Sequence, residues 1–123
     1  MSRRIYTYFM VRAKDEIYCK HILEAIRGIE DFIGGMSYAE FSRDLKTVLA
    51  VSRELEIIGE ASKRLSDTLK SQLGNIPWRE IAGMRDVLIH DYLSVDVREV
   101  WKAATEDTPA LKKVLLDSIR KFE

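Results

Sequence analysis

An arginine, a histidine and a tyrosine fall within one stretch of eight residues, Arg85 to Tyr92, which reads RDVLIHDY. Arginine stays charged at any working pH and offers a planar fork of donors that matches phosphate oxygens, whereas histidine gains or loses a proton near neutrality. Together they point to chemistry at a phosphate. One arginine and one histidine five positions apart also occur by chance in many helical proteins, so the competing reading is two unrelated surface residues. Helical geometry sharpens the question. At about 100° per residue, Arg85 and Tyr92 lie within roughly 20° of each other, while His90 points about 140° away from Arg85. One straight helix cannot bring the three together, so either the helix ends or bends near His90 or a second copy of the chain completes the site. A two-fold dimer is the commonest way to do the latter.

The elements that must position this stretch are helical. Tyr18, Ile22, Ile26, Ile29 and Ile33, spaced 4, 4, 3 and 4, lie on one face of a helix that Gly34 and Gly35 stop. His21 lies beside that stripe and reads as a surface or packing histidine. Ser37 and Glu40 form a capping box, which predicts a short helix from about Tyr38 that turns Phe41 and Leu45 inward. The longest helix is expected next, with Val48, Val51, Leu55, Ile58, Leu65 and Leu69 in register over about six turns. Ser62 and Gly59 on or beside that stripe favour close helix approach, and Arg53, Glu56, Glu60, Lys63 and Arg64 make a solvated charged face with a Glu60 to Arg64 pair.

Gly74, Asn75 and Pro77 mark a break, after which Trp78, Ile81, Met84 and Leu88 form the buried side of the helix that carries Arg85. Ser94 and Asp96 are candidate starts of a helix using Val97, Val100, Trp101 and Ala104. Thr108 with Pro109 opens a last helix burying Leu111, Val114, Leu115 and Phe122. No alternating strand pattern competes. The expected fold class is all-α, a bundle of four principal helices with short helices between them.

The chain has 123 residues, enough for one domain with one core. Twenty basic and twenty acidic side chains cancel, which argues against broad electrostatic binding to long nucleic acid and leaves room for a local basic pocket. The single cysteine, Cys19, has no intramolecular disulfide partner, no Cys/His cluster has metal-ligand spacing, and no apolar run is long enough to cross a membrane. A cytoplasmic protein without metal or cofactor is the expectation. Residues 1–12, with two arginines among the first four and several aromatics, differ in composition from the rest of the chain and are read as an N-terminal extension to a single domain over 13–123. Met10 is an alternative start, which an intact mass of the natively expressed protein would test.

The runs YCKHILEAI, LEIIGEASKRLS, IPWREIAGMRDVLIHDY and VDVREVW resemble the HepT-like branch of the HEPN domains in the same order, over about residues 14 to 120. The resemblance implies a homodimeric HEPN-type bundle and a toxin of a toxin–antitoxin pair that acts as a metal-independent ribonuclease. Its implied partner is a minimal nucleotidyltransferase antitoxin that neutralises it by attaching AMP to the motif tyrosine. By position, the family's arginine and histidine fall on Arg85 and His90 and its modified tyrosine on Tyr92. Asp86 stands where many HEPN proteins have another polar residue, often Asn. An aspartate there can orient Arg85 or His90, and it also repels an RNA phosphate.

Metal-independent RNA cleavage uses the neighbouring 2′-hydroxyl as nucleophile. A base removes its proton, an acid protonates the leaving 5′-oxygen, and donors stabilise the charge on phosphorus, leaving a 2′,3′-cyclic phosphate. His90 suits the base or acid role, a second His90 the complementary one, and Arg85 the stabilisation. Tyr92 reads as a control point, since an adenylyl group there blocks the cleft and repels RNA. Its plainer reading is a packing tyrosine at a helix end. The competing function is a non-catalytic module that binds nucleotides or a nucleotidyltransferase.

Overall fold

The computed structural model describes the backbone of residues 3–74, 76–83 and 96–122, with side chains from residue 13 to residue 118 of these. The described residues are all-α. In order they form α1 (Arg3–Ile33), α2 (Tyr38–Arg43), α3 (Leu45–Lys63), α4 (Asp67–Gln72), α5 (described as residues 78–83), α6 (Val97–Lys102), a π-helical turn (Ala103–Asp107) and α7 (Thr108–Phe122). Three of the long helices are therefore α1, α3 and α7. Of the fourth one, expected to carry Arg85, residues 78–83 are described and helical.

α1 is the longest element, at 31 residues, and reaches back to Arg3. Its isoleucine stripe is buried as its spacing requires, with Ile22, Ile26 and Ile29 at 1% exposure or less, and it ends at Gly34, whose φ of 53° suits a residue without a side chain. α1 and α3 run antiparallel, because successively later positions of α1 meet successively earlier positions after it. Asp15 binds Ser66, Tyr18 lies by Arg64, and Gly28 faces Glu54. This pair forms the main wall of the core, which Phe41, Val48, Val51, Leu55, Ile58, Leu111 and Leu115 complete.

The capping box at α2 is formed in full, Ser37 Oγ accepting from the Glu40 backbone N–H at 3.2 Å and Glu40 Oε1 from that of Ser37 at 3.1 Å. These bonds hold the Glu40 carboxyl below its usual pKa. Phe41 is fully buried, but Leu45 is 68% exposed, contrary to expectation. The reason is a second cap one residue earlier. Asp44 accepts from the Thr47 backbone N–H and hydroxyl and starts α3 afresh. The inward face of α3 is then set by Val48, Val51 and Leu55, and Leu45 falls with exposed Leu49 on another side.

The six-turn helix expected from Val48 to Leu69 is broken in two. α3 stops at Lys63 and α4 starts at Asp67, although Leu65 and Leu69 are still buried. Ser66 makes the break. Its Oγ accepts from the Leu69 backbone N–H at 3.1 Å, while its own N–H and hydroxyl donate to the Asp15 carboxylate at 2.8 and 2.6 Å. Asp15 is only 4% exposed and is satisfied by this serine. Asp15→Ala is expected to cost about 1–3 kcal/mol, because it leaves the part-buried Ser66 N–H and hydroxyl without their acceptor. Urea denaturation monitored by far-ultraviolet circular dichroism measures this.

The last helix opens at Thr108 and Pro109 as expected, and α6 runs into it directly through the π-helical turn. Pro109 has no N–H to donate to a carbonyl one turn back, and a wider turn accommodates its ring. The Thr105 and Thr108 hydroxyls donate to the Trp101 and Ala104 carbonyls at 2.7 and 2.8 Å across that turn. Asp96 caps α6 through the Arg98 and Glu99 backbone N–H groups. Ser94, Met84 and Leu88 lie outside the described residues, as does the side chain of Phe122.

Cys19 is fully buried between these helices. Burial, and after it the carboxylates of Asp15 and Glu16, push its thiol up to about 11 from 9.0. The folded chain therefore keeps its proton where the unfolded chain releases it. The stabilisation is complete below about pH 9 and is lost as pH climbs through about 11. The stability difference between the parent chain and Cys19→Ala should shrink by about 2 kcal/mol between pH 8 and pH 11, as chemical denaturation at each pH would show.

Candidate functional site

Arg85, Asp86, His90 and Tyr92 all lie outside the described residues. What the structure describes is the frame at either end of them. On the entry side α5 begins at Trp78, directly after Pro77, whose carbonyl accepts the first helical bond from the Ile81 N–H at 3.0 Å, and Ile81 is anchored in the core at 4% exposure. On the exit side the Asp96 cap opens α6, whose Trp101 is held by α2. The Trp101 ring centroid is 5.1 Å from Phe41 and 5.8 Å from Tyr38, and the Arg98 guanidinium lies 4.9 Å above the Tyr38 ring. The motif is thus bracketed by two elements tied to the core.

A second candidate site lies on the outer side of the α1 and α3 pair. It is a furrow of about 280 Å³ lined by Tyr18, His21, Arg53, Glu56, Ile57, Glu60, Ala61 and Arg64. The Tyr18 and His21 rings meet edge to face at 5.7 Å, and the Arg64 guanidinium sits 5.9 Å from the Tyr18 ring centre. Along α3, Arg53 pairs with Glu56 at 3.3 Å and Arg64 with Glu60 at 3.2 Å. Tyr18 and then Glu60 raise the Arg64 pKa above its ordinary value, which keeps it a fixed cation. His21 is exposed, in line with the surface reading of its sequence position. The charged face of α3 is mostly solvated, as expected, with Glu56 half-buried at 23% exposure.

Sequence reasoning does not find this furrow. The helical spacing assigns Tyr18 to the core stripe, whereas it is half-buried, and the α3 charges show only their i,i+3 and i,i+4 pairing. Nothing local signals that α1 will lay two rings beside them. Among the described residues no three His, Cys, Asp or Glu side chains gather as a metal site, and no helix is long and apolar enough to cross a membrane.

The profile described as ribonuclease HepT-like matches residues 22–117, which spans the core of α1, the furrow residues of α3 and the Arg85 to Tyr92 stretch. The chain belongs to the HepT-like ribonuclease family. It is 52% identical over 95 residues to the probable ribonuclease HepT of Thermococcus cleftensis, covering 77% of this chain and 86% of that protein. It is also 38% identical over 104 residues to "Putative RNase TTE0752" of Caldanaerobacter subterraneus, covering 85% of this chain and 93% of the relative. No solved structure matches the chain.

Proposed function

We propose that this protein is the toxin of a toxin–antitoxin pair, a metal-independent endoribonuclease that acts as a homodimer through Arg85 and His90 and is silenced by AMP transfer to Tyr92. The observation that carries this reading is the ordered Arg85-x4-His90-x-Tyr92 set in a chain of the HepT-like ribonuclease family. The proposed chemistry follows from the residue types. His90 takes the proton of the 2′-hydroxyl or returns one to the leaving 5′-oxygen, its counterpart in the second protomer does the other, and Arg85 holds the phosphate oxygens as charge builds. Asp86 is one residue from Arg85 and supports its orientation. An adenylyl group on Tyr92 brings bulk and negative charge against incoming RNA.

The test is cleavage of RNA in excess chelator by protein that has never met a nucleotidyltransferase, with analysis of the product ends. Cyclic phosphate ends are expected, and a substrate carrying hydrogen in place of the 2′-hydroxyl at the scissile position should resist cleavage. Cleavage of that substrate at an undiminished rate would sink the mechanism. A folded dimer with unmodified Tyr92 that cuts none of several RNA classes would favour a non-catalytic binding module instead.

A further inference from the structure

The proposed cleavage chemistry gives no role to the residues that line the furrow between α1 and α3, and their arrangement is specific enough to suggest a ligand. Two aromatic rings, Tyr18 and His21, stand on the α1 side, while Ile57 and Ala61 give it an apolar floor. Arg53, Glu56, Glu60 and Arg64 follow one another along α3, so a pair of carboxylates is flanked by a guanidinium at each end. From this lining we infer that the furrow is a binding site for one guanine nucleotide, either free or as a single residue of an RNA strand.

Size and shape limit the ligand first. A volume of about 280 Å³ lies just below the range of drug-sized ligand sites, which run from about 300 Å³ upward. It accommodates one base with its sugar and excludes a duplex. Aromatic side chains bind the π-face of any base and so give affinity without choosing among bases.

The carboxylates make the choice. An ionised carboxylate only accepts hydrogen bonds. Guanine carries two N–H donors side by side on its pairing edge, the ring N1–H and the 2-amino group, and they match the two oxygens of one carboxylate. Adenine and cytosine each set a ring acceptor beside the amino group, and uracil flanks its single N–H with two carbonyls, so each turns a lone pair toward the carboxylate. Glu56 is the better placed acceptor, since it is 23% exposed and its ion pair with Arg53 is a 3.3 Å contact to a side chain that is itself 70% exposed. Arg64, 54% exposed at the other end, donates to Glu60 through Nε and Nη2 and offers its remaining N–H groups to a phosphate. A purely cationic ligand such as a polyamine satisfies the carboxylates and rings but meets two guanidiniums of its own sign.

The described lining comes from α1 and α3, and the test reads binding alone, so an inactive ribonuclease does not count against the site. The full chain is titrated by calorimetry with GMP, AMP and spermidine, alongside His21→Ala and Glu56→Gln, each checked for unchanged thermal melting. Saturable GMP binding at least tenfold tighter than AMP is expected, weakened about tenfold or more by His21→Ala, with the preference for GMP erased by Glu56→Gln. Equal affinity for GMP and AMP, indifference to both variants, or tight spermidine binding in place of GMP would overturn it. Oligoadenylates with and without one guanosine, added to a His90→Ala chain so that no strand is cut, separate the sources. Preference for the guanosine-containing strand without GMP binding identifies an RNA residue, and GMP binding as tight as the strand identifies the free nucleotide. Absence of both guanosine preferences refutes the site.

Discussion

His90→Ala is expected to slow RNA cleavage by about 10²–10⁴-fold, the usual worth of a positioned general acid or base. The effect is predicted to be large because no other residue of the Arg85 to Tyr92 stretch can exchange a proton near neutral pH, and in a two-fold dimer one substitution removes both the acid and the base. Single-turnover cleavage across a pH series in chelator is the measurement. The parent chain should show limbs governed by groups titrating near the histidine range, and the variant should lose them along with the rate. A variant cutting within a fewfold of the parent, or retaining the same pH profile, would remove His90 from the mechanism. Arg85→Lys provides a useful companion, because it keeps the charge and loses the planar fork, so a large loss there assigns the phosphate contact to geometry and not to charge alone.

Phe41→Ala should destabilise the fold by about 3–5 kcal/mol, the largest effect expected of any single truncation in the described core. Phe41 is fully buried, sits 5.1 Å from Trp101 between ring centres, and is the only core side chain that the six-residue α2 contributes. Its loss leaves a cavity and frees the connector that holds α6 against α3. For a chain of this length, that corresponds to a fall in melting temperature of roughly 10–20 °C. Since Asp96 begins the α6 frame four residues after Tyr92, cleavage should weaken as well, at temperatures where the variant remains folded. Unfolding by urea at fixed protein concentration gives the stability change, and a loss below about 1 kcal/mol would mean the α2 contact matters little.

How much could be read from the residues alone varied with the range of the forces involved. The isoleucine stripe of α1, the Ser37 and Glu40 capping box, the Asp96 cap and the glycine stop at Gly34 were all legible, because each depends on residues within one or two turns of one another. The family was legible too, since the runs around YCKHILEAI and IPWREIAGMRDVLIHDY carry side-chain types in an order that survives without coordinates. The boundaries failed where two local signals competed. Leu45 looked like a core residue to the α2 pattern and was overruled by the Asp44 cap. The apolar period continued through Leu65 and Leu69 although the helix did not, because leucines keep facing the core across a capped turn.

Helical periodicity, end caps and the chemistry available to Arg85, His90 and Tyr92 are properties of neighbouring residues, and these were written in the chain before it folded. The break at Ser66 was not, because the carboxylate that completes its bonding comes from Asp15, 51 residues away. The furrow was not legible either. Tyr18 and His21 become its wall only when α1 lies antiparallel along α3, and that docking is selected by burial of the isoleucine and valine faces of the two helices, a non-directional force that specifies which sides meet and leaves the polar neighbours to be brought together as a consequence.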